Sequence, residues 1–224
     1  MKSTNVIITL GLASFLCFSA CKPKDPIIPI NEGVNNFMPT STQNSWNYEA
    51  SDGTHFQRKY TGRDSVVNGF SYNLFQQTTT GGVVKNEFYA KFEGKYYSLI
   101  PIDDANTTYV KAIVLGSDNP KVGDTWTNEG SFNYSGIDFT AKVDGEVMSI
   151  SDTTTVNGVL LDSIVTVKSR LFAKLPLSTY TDAGTVIMKM KKGVGIISED
   201  YDFHVSTFVN KTYSNWLLSY SIQP

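Results

Sequence analysis

Apolar and polar residues alternate along most of this chain with a period of two, and helical periodicity is almost absent. From Val84 to Glu93, Val84, Phe88, Ala90 and Phe92 take one side while Lys85, Glu87, Lys91 and Glu93 take the other. Ile137, Phe139, Ala141 and Val143 alternate with Asp138, Thr140, Lys142 and Asp144. Val186, Met188 and Met190 alternate with Ile187, Lys189 and Lys191, and Trp216, Leu218, Tyr220 and Ile222 close the chain in the same way. Side chains of a strand point to opposite faces in turn, so each run predicts a strand with one buried and one wet face. That pattern belongs to antiparallel sheet, because parallel strands are buried on both faces. The expected class is all-β: a curved antiparallel sheet or half-barrel.

Turn chemistry agrees. Asn68-Gly69 and Asn157-Gly158 each separate two apolar runs, the strongest short-range hairpin signal, because a type I′ turn puts both central residues at positive φ. Glu93-Gly94 and Asp182-Ala183-Gly184 are weaker candidates of the same kind. Gly193-Val194-Gly195 lacks the third glycine of a nucleotide-binding loop and reads as a strand with close backbone approach.

The first twenty residues read as an address. Lys2 gives a short positive n-region, and Val6 to Phe18 is apolar apart from Thr9 and Ser14, too short to span a bilayer. Phe18-Ser19-Ala20-Cys21 resembles a bacterial lipobox, in which the cysteine is acylated and the chain is cut just before it, with Phe18 where Leu is usual. The cysteine count supports this. Of the two, Cys17 and Cys21, the first leaves with the signal, so the mature chain starts on a cysteine with no partner. Residues 21–36 then form a tether whose Pro23, Pro26 and Pro29 forbid helix. Lys22 rather than Asp after the cysteine resembles an outer-membrane sorting signal. The expected organisation is a signal peptide over 1–20, a lipidated tether over 21–36 and a β domain over 37–224.

The β domain echoes itself. Pro39 precedes Trp46 in Asn44-Ser45-Trp46, Pro120 precedes Trp126 in Asp124-Thr125-Trp126, and a Val-Asn-Gly turn follows each. Two related units, about 37–115 and 116–224, are expected to share one sheet, with both tryptophans buried near strand starts. Phe37-Met38-Pro39, Asn44-Ser45-Trp46-Asn47-Tyr48, Lys121-Val122-Gly123-Asp124-Thr125-Trp126 and Lys192-Gly193-Val194-Gly195-Ile196-Ile197 resemble a large group of small Gram-negative envelope lipoproteins. Thr40 and Gln43 depart from the group's usual Leu and Gly. The resemblance implies a curved antiparallel sheet, a half-barrel like those of lipoprotein carriers, and it assigns no catalytic residue.

Chemistry is sparse. A formal charge of -2 on 224 residues leaves no basic field for nucleic acid. His55 and His204 are far apart, in strand-like runs, and are expected to be structural or superficial rather than metal ligands. No Gly-x-Ser-x-Gly elbow occurs. Asp103-Asp104 and Glu199-Asp200-Tyr201-Asp202 are the densest acidic groups and read first as solvated turns. Tyr96-Tyr97 is the candidate ligand-binding pair: neighbouring strand residues face opposite ways, so one ring must leave the main core. No cofactor and no catalytic residue is expected. The reading is a lipid-anchored envelope protein that is not an enzyme, held at a membrane and partnered by an apolar ligand, a glycan or another envelope protein. A carboxylate-dependent glycan hydrolase is the alternative.

Overall fold

In the computed structural model, residues 36–223 are described except 68, 102–108, 135 and 206–208. The signal segment, Cys21, the tether up to residue 35, Asn68 and Asp103-Asp104 lie outside the described residues. Twelve strands are found among those described: β1 (Ser45–Ala50), β2 (His55–Val67), β3 (Phe70–Thr79), β4 (Val84–Phe92), β5 (Lys95–Pro101) and β6 (Tyr109–Leu115), then β7 (Thr125–Tyr134), β8 (Ile137–Val156), β9 (Val159–Lys174), β10 (Thr181–Lys191), β11 (Gly195–Val205) and β12 (Val209–Ser221).

All belong to one antiparallel sheet of order β6-β5-β4-β3-β2-β1-β12-β11-β10-β9-β8-β7. Two six-stranded meanders, β1–β6 and β7–β12, are therefore joined side by side through the β1–β12 ladder, which runs from Ser45↔Ser221 to Ala50↔Asn215. The sheet curls until β6 and β7, the two ends of the order, meet across a seam, giving a nearly closed barrel.

The two meanders begin alike. Asn44 N donates to Ser41 O at 2.9 Å, and Asp124 N donates to Lys121 O at 3.0 Å, so each first strand leaves the same kind of turn two residues before its tryptophan. The Trp46 indole then donates to Val194 O at 2.6 Å and the Trp126 indole to Ile113 O at 2.8 Å. Burial differs: Trp46 is 3% exposed, whereas Trp126 is only partly buried. The expectation of two equally buried rings is corrected, because Trp126 stands at the open seam while Trp46 stands where two ladders meet.

Asn157 (φ 48) and Gly158 (φ 77) make the hairpin turn expected between β8 and β9, and Glu93-Gly94 makes a similar one. Asp182-Ala183-Gly184 is not a turn. It lies within β10, where the register slips between Asp182 and Gly184 against β9. A Cβ on Gly184 would lie 2.2 Å from Asp202 O, so the backbone approach excludes any side chain. Lys192–Val194 form the β10–β11 turn rather than a strand, and close approach is confined to Gly195, beneath the Trp46 indole.

One buried and one wet face does not hold everywhere. In β4, Phe88 and Ala90 join Phe70, Tyr72 and Leu99 in a cluster on one face, while Tyr89 joins the main core on the other. Lys91 is only 4% exposed and pairs with Asp118 at 2.9 Å. Closing the sheet turns Glu87 and Lys91 inward, where each charge has to find an ionic partner, while Lys85 at the start of the strand stays exposed.

Candidate functional site

Among the described residues, the interior holds an ionic centre on Arg58, assembled from strands far apart in sequence. Arg58 sits between Phe56 and Tyr60 on β2, at the inward positions of the alternation, and is 3% exposed. Its Nε and Nη2 donate to the two carboxylate oxygens of Glu87 on β4, at 2.5 and 3.1 Å. Nη2 also donates to Glu199 Oε2 on β11 at 3.1 Å, and Nη1 to the Tyr48 hydroxyl on β1 at 3.1 Å. The Tyr48 hydroxyl in turn donates to Ile196 O at 2.8 Å, and its ring lies 4.7 Å from the guanidinium carbon. Planar, forked donors make arginine the cation suited to two carboxylates at once.

Two carboxylates face one guanidinium, so the centre is short of one positive charge. Glu199 is 1% exposed, and its Oε1 has no hydrogen-bond partner among the described residues. Burial pushes the Glu87 carboxyl above the usual carboxylate range despite Arg58 beside it. Burial opposes the charge on Arg58, but Glu199 and Glu87 overcome it and hold the guanidinium firmly protonated. The Tyr48 hydroxyl is pushed up by burial as well.

Space around this centre is small. One cavity of about 10 Å³ lies beside Trp46, Tyr48, Arg58 and Phe75, and another of about 20 Å³ lies among Ser98, Ile100, Ala112, Met188 and Tyr201. Each has room for about one water molecule. A glycosidase needs two carboxylates about 5–10 Å apart across a cleft that admits a sugar ring. Glu87 and Glu199 converge, but on a shared arginine, and the cavity beside it has room for about one water.

The expected site residues are dispersed. Tyr96 is fully buried; its hydroxyl donates to Asp118 Oδ1 at 2.5 Å and accepts from Phe37 N at 3.4 Å, which makes it a core residue. Tyr97 does leave that core: half-buried, it packs against Phe70 at 5.2 Å, with Lys111 Nζ 4.7 Å from its ring. His55 stands beside Glu49 at 3.8 Å and His204 beside Asp182 at 3.5 Å, both exposed and on different strands. Glu199-Asp200-Tyr201-Asp202 is strand, not turn, with Glu199 facing inward. No group of three or more metal-ligating side chains occurs among the described residues.

Sequence reasoning missed Arg58, Glu87 and Asn128. For the first two a signal existed: each sits in step with aromatic residues, Arg58 with Phe56 and Tyr60, Glu87 with Tyr89. A charge in step with an apolar face is a buried charge. Asn128 gave none, because its partners are backbone atoms of β6. Ile113 N donates to Asn128 Oδ1 at 2.8 Å and Asn128 Nδ2 donates to Lys111 O at 2.7 Å. The β6–β7 seam is thus bridged by side chains, and among the described residues no backbone ladder joins these strands.

No protein-family description and no curated protein matches the chain by sequence. Solved structures do match in shape. A candidate lipoprotein from Parabacteroides distasonis aligns with TM-score 0.52 at 12% identity, over 83% of this chain and 98% of that one. A candidate exported protein with a YmcC-like fold from Bacteroides fragilis aligns with TM-score 0.43 at 8% identity, over 83% and 98%. The hypothetical lipoprotein YmcC from Escherichia coli aligns with TM-score 0.39 at 7% identity, over 84% and 89%. At such identity the Parabacteroides protein shows one thing about this chain, that the two share a fold.

Proposed function

We propose that this chain is a lipid-anchored protein of the Gram-negative envelope, fixed through Cys21 to the outer membrane, where its barrel serves as a non-catalytic interaction module. The observation that carries the non-catalytic part is the shared arginine: the converging carboxylates are held by Arg58, and those two cavities hold about a water each. A bound acyl chain or sugar needs hundreds of cubic ångströms. The apolar-ligand and glycan-hydrolase readings therefore lose ground to assembly with another envelope component through the outer surface. The lipobox-like Phe18-Ser19-Ala20-Cys21, the unpartnered mature cysteine and the lipoprotein name of the Parabacteroides shape neighbour support the anchor. Replacing Cys21 with Ser and following both membrane fractionation and fatty-acid labelling tests it. The variant is expected to lose its label and leave the membrane fraction; a wild type that takes no label overturns the reading.

A further inference from the structure

The β9–β10 loop is built against its own backbone preference. Ser178 N donates to Leu175 O at 3.1 Å, closing a four-residue turn with Pro176 at its second position and Leu177 at its third. Leu177 has φ 63. Proline followed by positive φ marks a type II turn, whose third position favours Gly or Asn and is costly for a branched apolar side chain. Yet Leu177 is fully exposed, at 109%, and Leu175 is 45% exposed. Leu177 gains no burial in the fold for the strain, and Leu175 keeps nearly half of its surface in solvent. Backbone strain kept at an exposed side chain points to a use outside the fold.

The neighbourhood says which use. Residues 175–180 carry no charge. Thr140 pairs with Lys174, so Ile137, 43% exposed at the start of β8, extends the same end of the barrel three residues further. Behind these apolar tips stands a band of rings and cations: Lys174 Nζ is 4.5 Å from the Tyr180 ring, and Lys142 Nζ is 4.5 Å from the Phe172 ring. Apolar tips backed by tyrosine and lysine are the arrangement of side chains at a lipid–water boundary. At the opposite end, the exposed Leu160 sits beside Asn157-Gly158, which fit their turn without strain, and near the exposed Asp162.

We propose that Leu175, Leu177 and Ile137 form a membrane foot that enters the acyl boundary of the leaflet carrying the anchor, with Lys174 and Tyr180 at headgroup level. The proposal rests on the lipid-anchor reading for the identity of that leaflet. Geometry permits both attachments. Asn36 O accepts from Gly193 N, so the tether leaves at the β10–β11 turn, the end opposite the foot. The fifteen residue-to-residue steps from Cys21 to Asn36 reach up to about 50 Å when extended, and the 11 residues of β10 that separate the two ends span about 36 Å.

An environment-sensitive dye on a single introduced cysteine tests this. In the full chain with Cys17→Ser, Leu177→Cys and, separately, Leu160→Cys are labelled and mixed with excess vesicles of phosphatidylethanolamine and phosphatidylglycerol carrying doxyl lipids. Severalfold stronger quenching at 177 than at 160, reduced by Leu175→Gln, is expected. Equal quenching at both positions, or none at 177, overturns the foot. Flotation of wild type against Cys21→Ser in the same vesicles reads the anchor separately, so either reading can fail while the other stands.

Discussion

The carboxamide of Asn128 on β7 takes the place of a peptide group opposite Ile113 on β6, accepting from its N–H at 2.8 Å while donating to Lys111 O at 2.7 Å. With the Trp126 indole on Ile113 O, it substitutes three side-chain hydrogen bonds for a strand ladder. Each hydrogen bond contributes about 0.5–1.5 kcal/mol. Asn128→Ala should therefore destabilise the barrel by about 1–3 kcal/mol and speed hydrogen exchange at Ile113 well beyond that of the β1–β12 ladder. Unchanged protection at Ile113 would show that the seam is closed by something else.

Arg58 compensates two carboxylates at once, the buried Glu199 and the partly buried Glu87. Removing it leaves Glu87 and Glu199 without a cation, and breaking a buried pair this way costs about 3–5 kcal/mol. Arg58→Met should lower the free energy of unfolding by that much, seen as a lower denaturant midpoint at unchanged slope. Arg58→Met combined with Glu87→Gln and Glu199→Gln should recover most of the loss. If the triple variant is as unstable as the single one, shape and not charge is what Arg58 supplies.

Stability should depend on pH through the same centre. The folded state holds the Glu87 proton more tightly than the unfolded chain does, because burial raises its pKa above the ordinary 4.5. A raised carboxyl makes the folded state bind more protons, so its contribution is complete below about pH 4.5 and declines as pH rises through the folded value. Arg58, Glu199 and Lys85 act on it directly, and Tyr48, Tyr89 and Tyr213 couple to it. Denaturation midpoints of wild type and Glu87→Gln, measured from pH 5 upward (a window set by that direction of shift), should converge in acid and diverge toward neutrality. Parallel curves would place the Glu87 pKa in the ordinary range.

The two tryptophans should respond unequally. Trp46→Ala empties a buried site and should cost about 3–5 kcal/mol, whereas Trp126→Ala, at a partly buried position, should cost less and mainly loosen β6. Gly145→Ala tests the second ring from beneath, since its Cβ would lie 2.2 Å from the Trp126 indole. That variant should expose Trp126, seen as a red-shifted and more quenchable fluorescence. Trp126→Ala as costly as Trp46→Ala would mean that the seam is as tightly packed as the core.

Tyr96 and Tyr97 separate core from surface. Tyr96→Phe removes a hydroxyl that bonds both Asp118 and Phe37 N and should cost about 1–3 kcal/mol. Tyr97→Phe, on the other face and half-buried, should be nearly silent in the same melts. The reverse order would move the core to the other side of β5.

The period-two alternation, the Asn157-Gly158 turn and the spacing of Trp46 and Trp126 were enough to give the class, one hairpin and two meanders beginning alike, because these features rest on local backbone geometry. Three things were beyond local geometry. Whether β4 turns Glu87 and Lys91 to water or to an interior depends on the curl of the whole sheet, which brings β11 to β2 and makes Glu199 a partner of Arg58. Whether Trp126 is buried depends on how nearly β6 and β7 meet. Whether an inward cavity survives depends on how the side chains of both meanders fill one space. Alternation names the faces of a strand, but only closure of the sheet decides which face is inside.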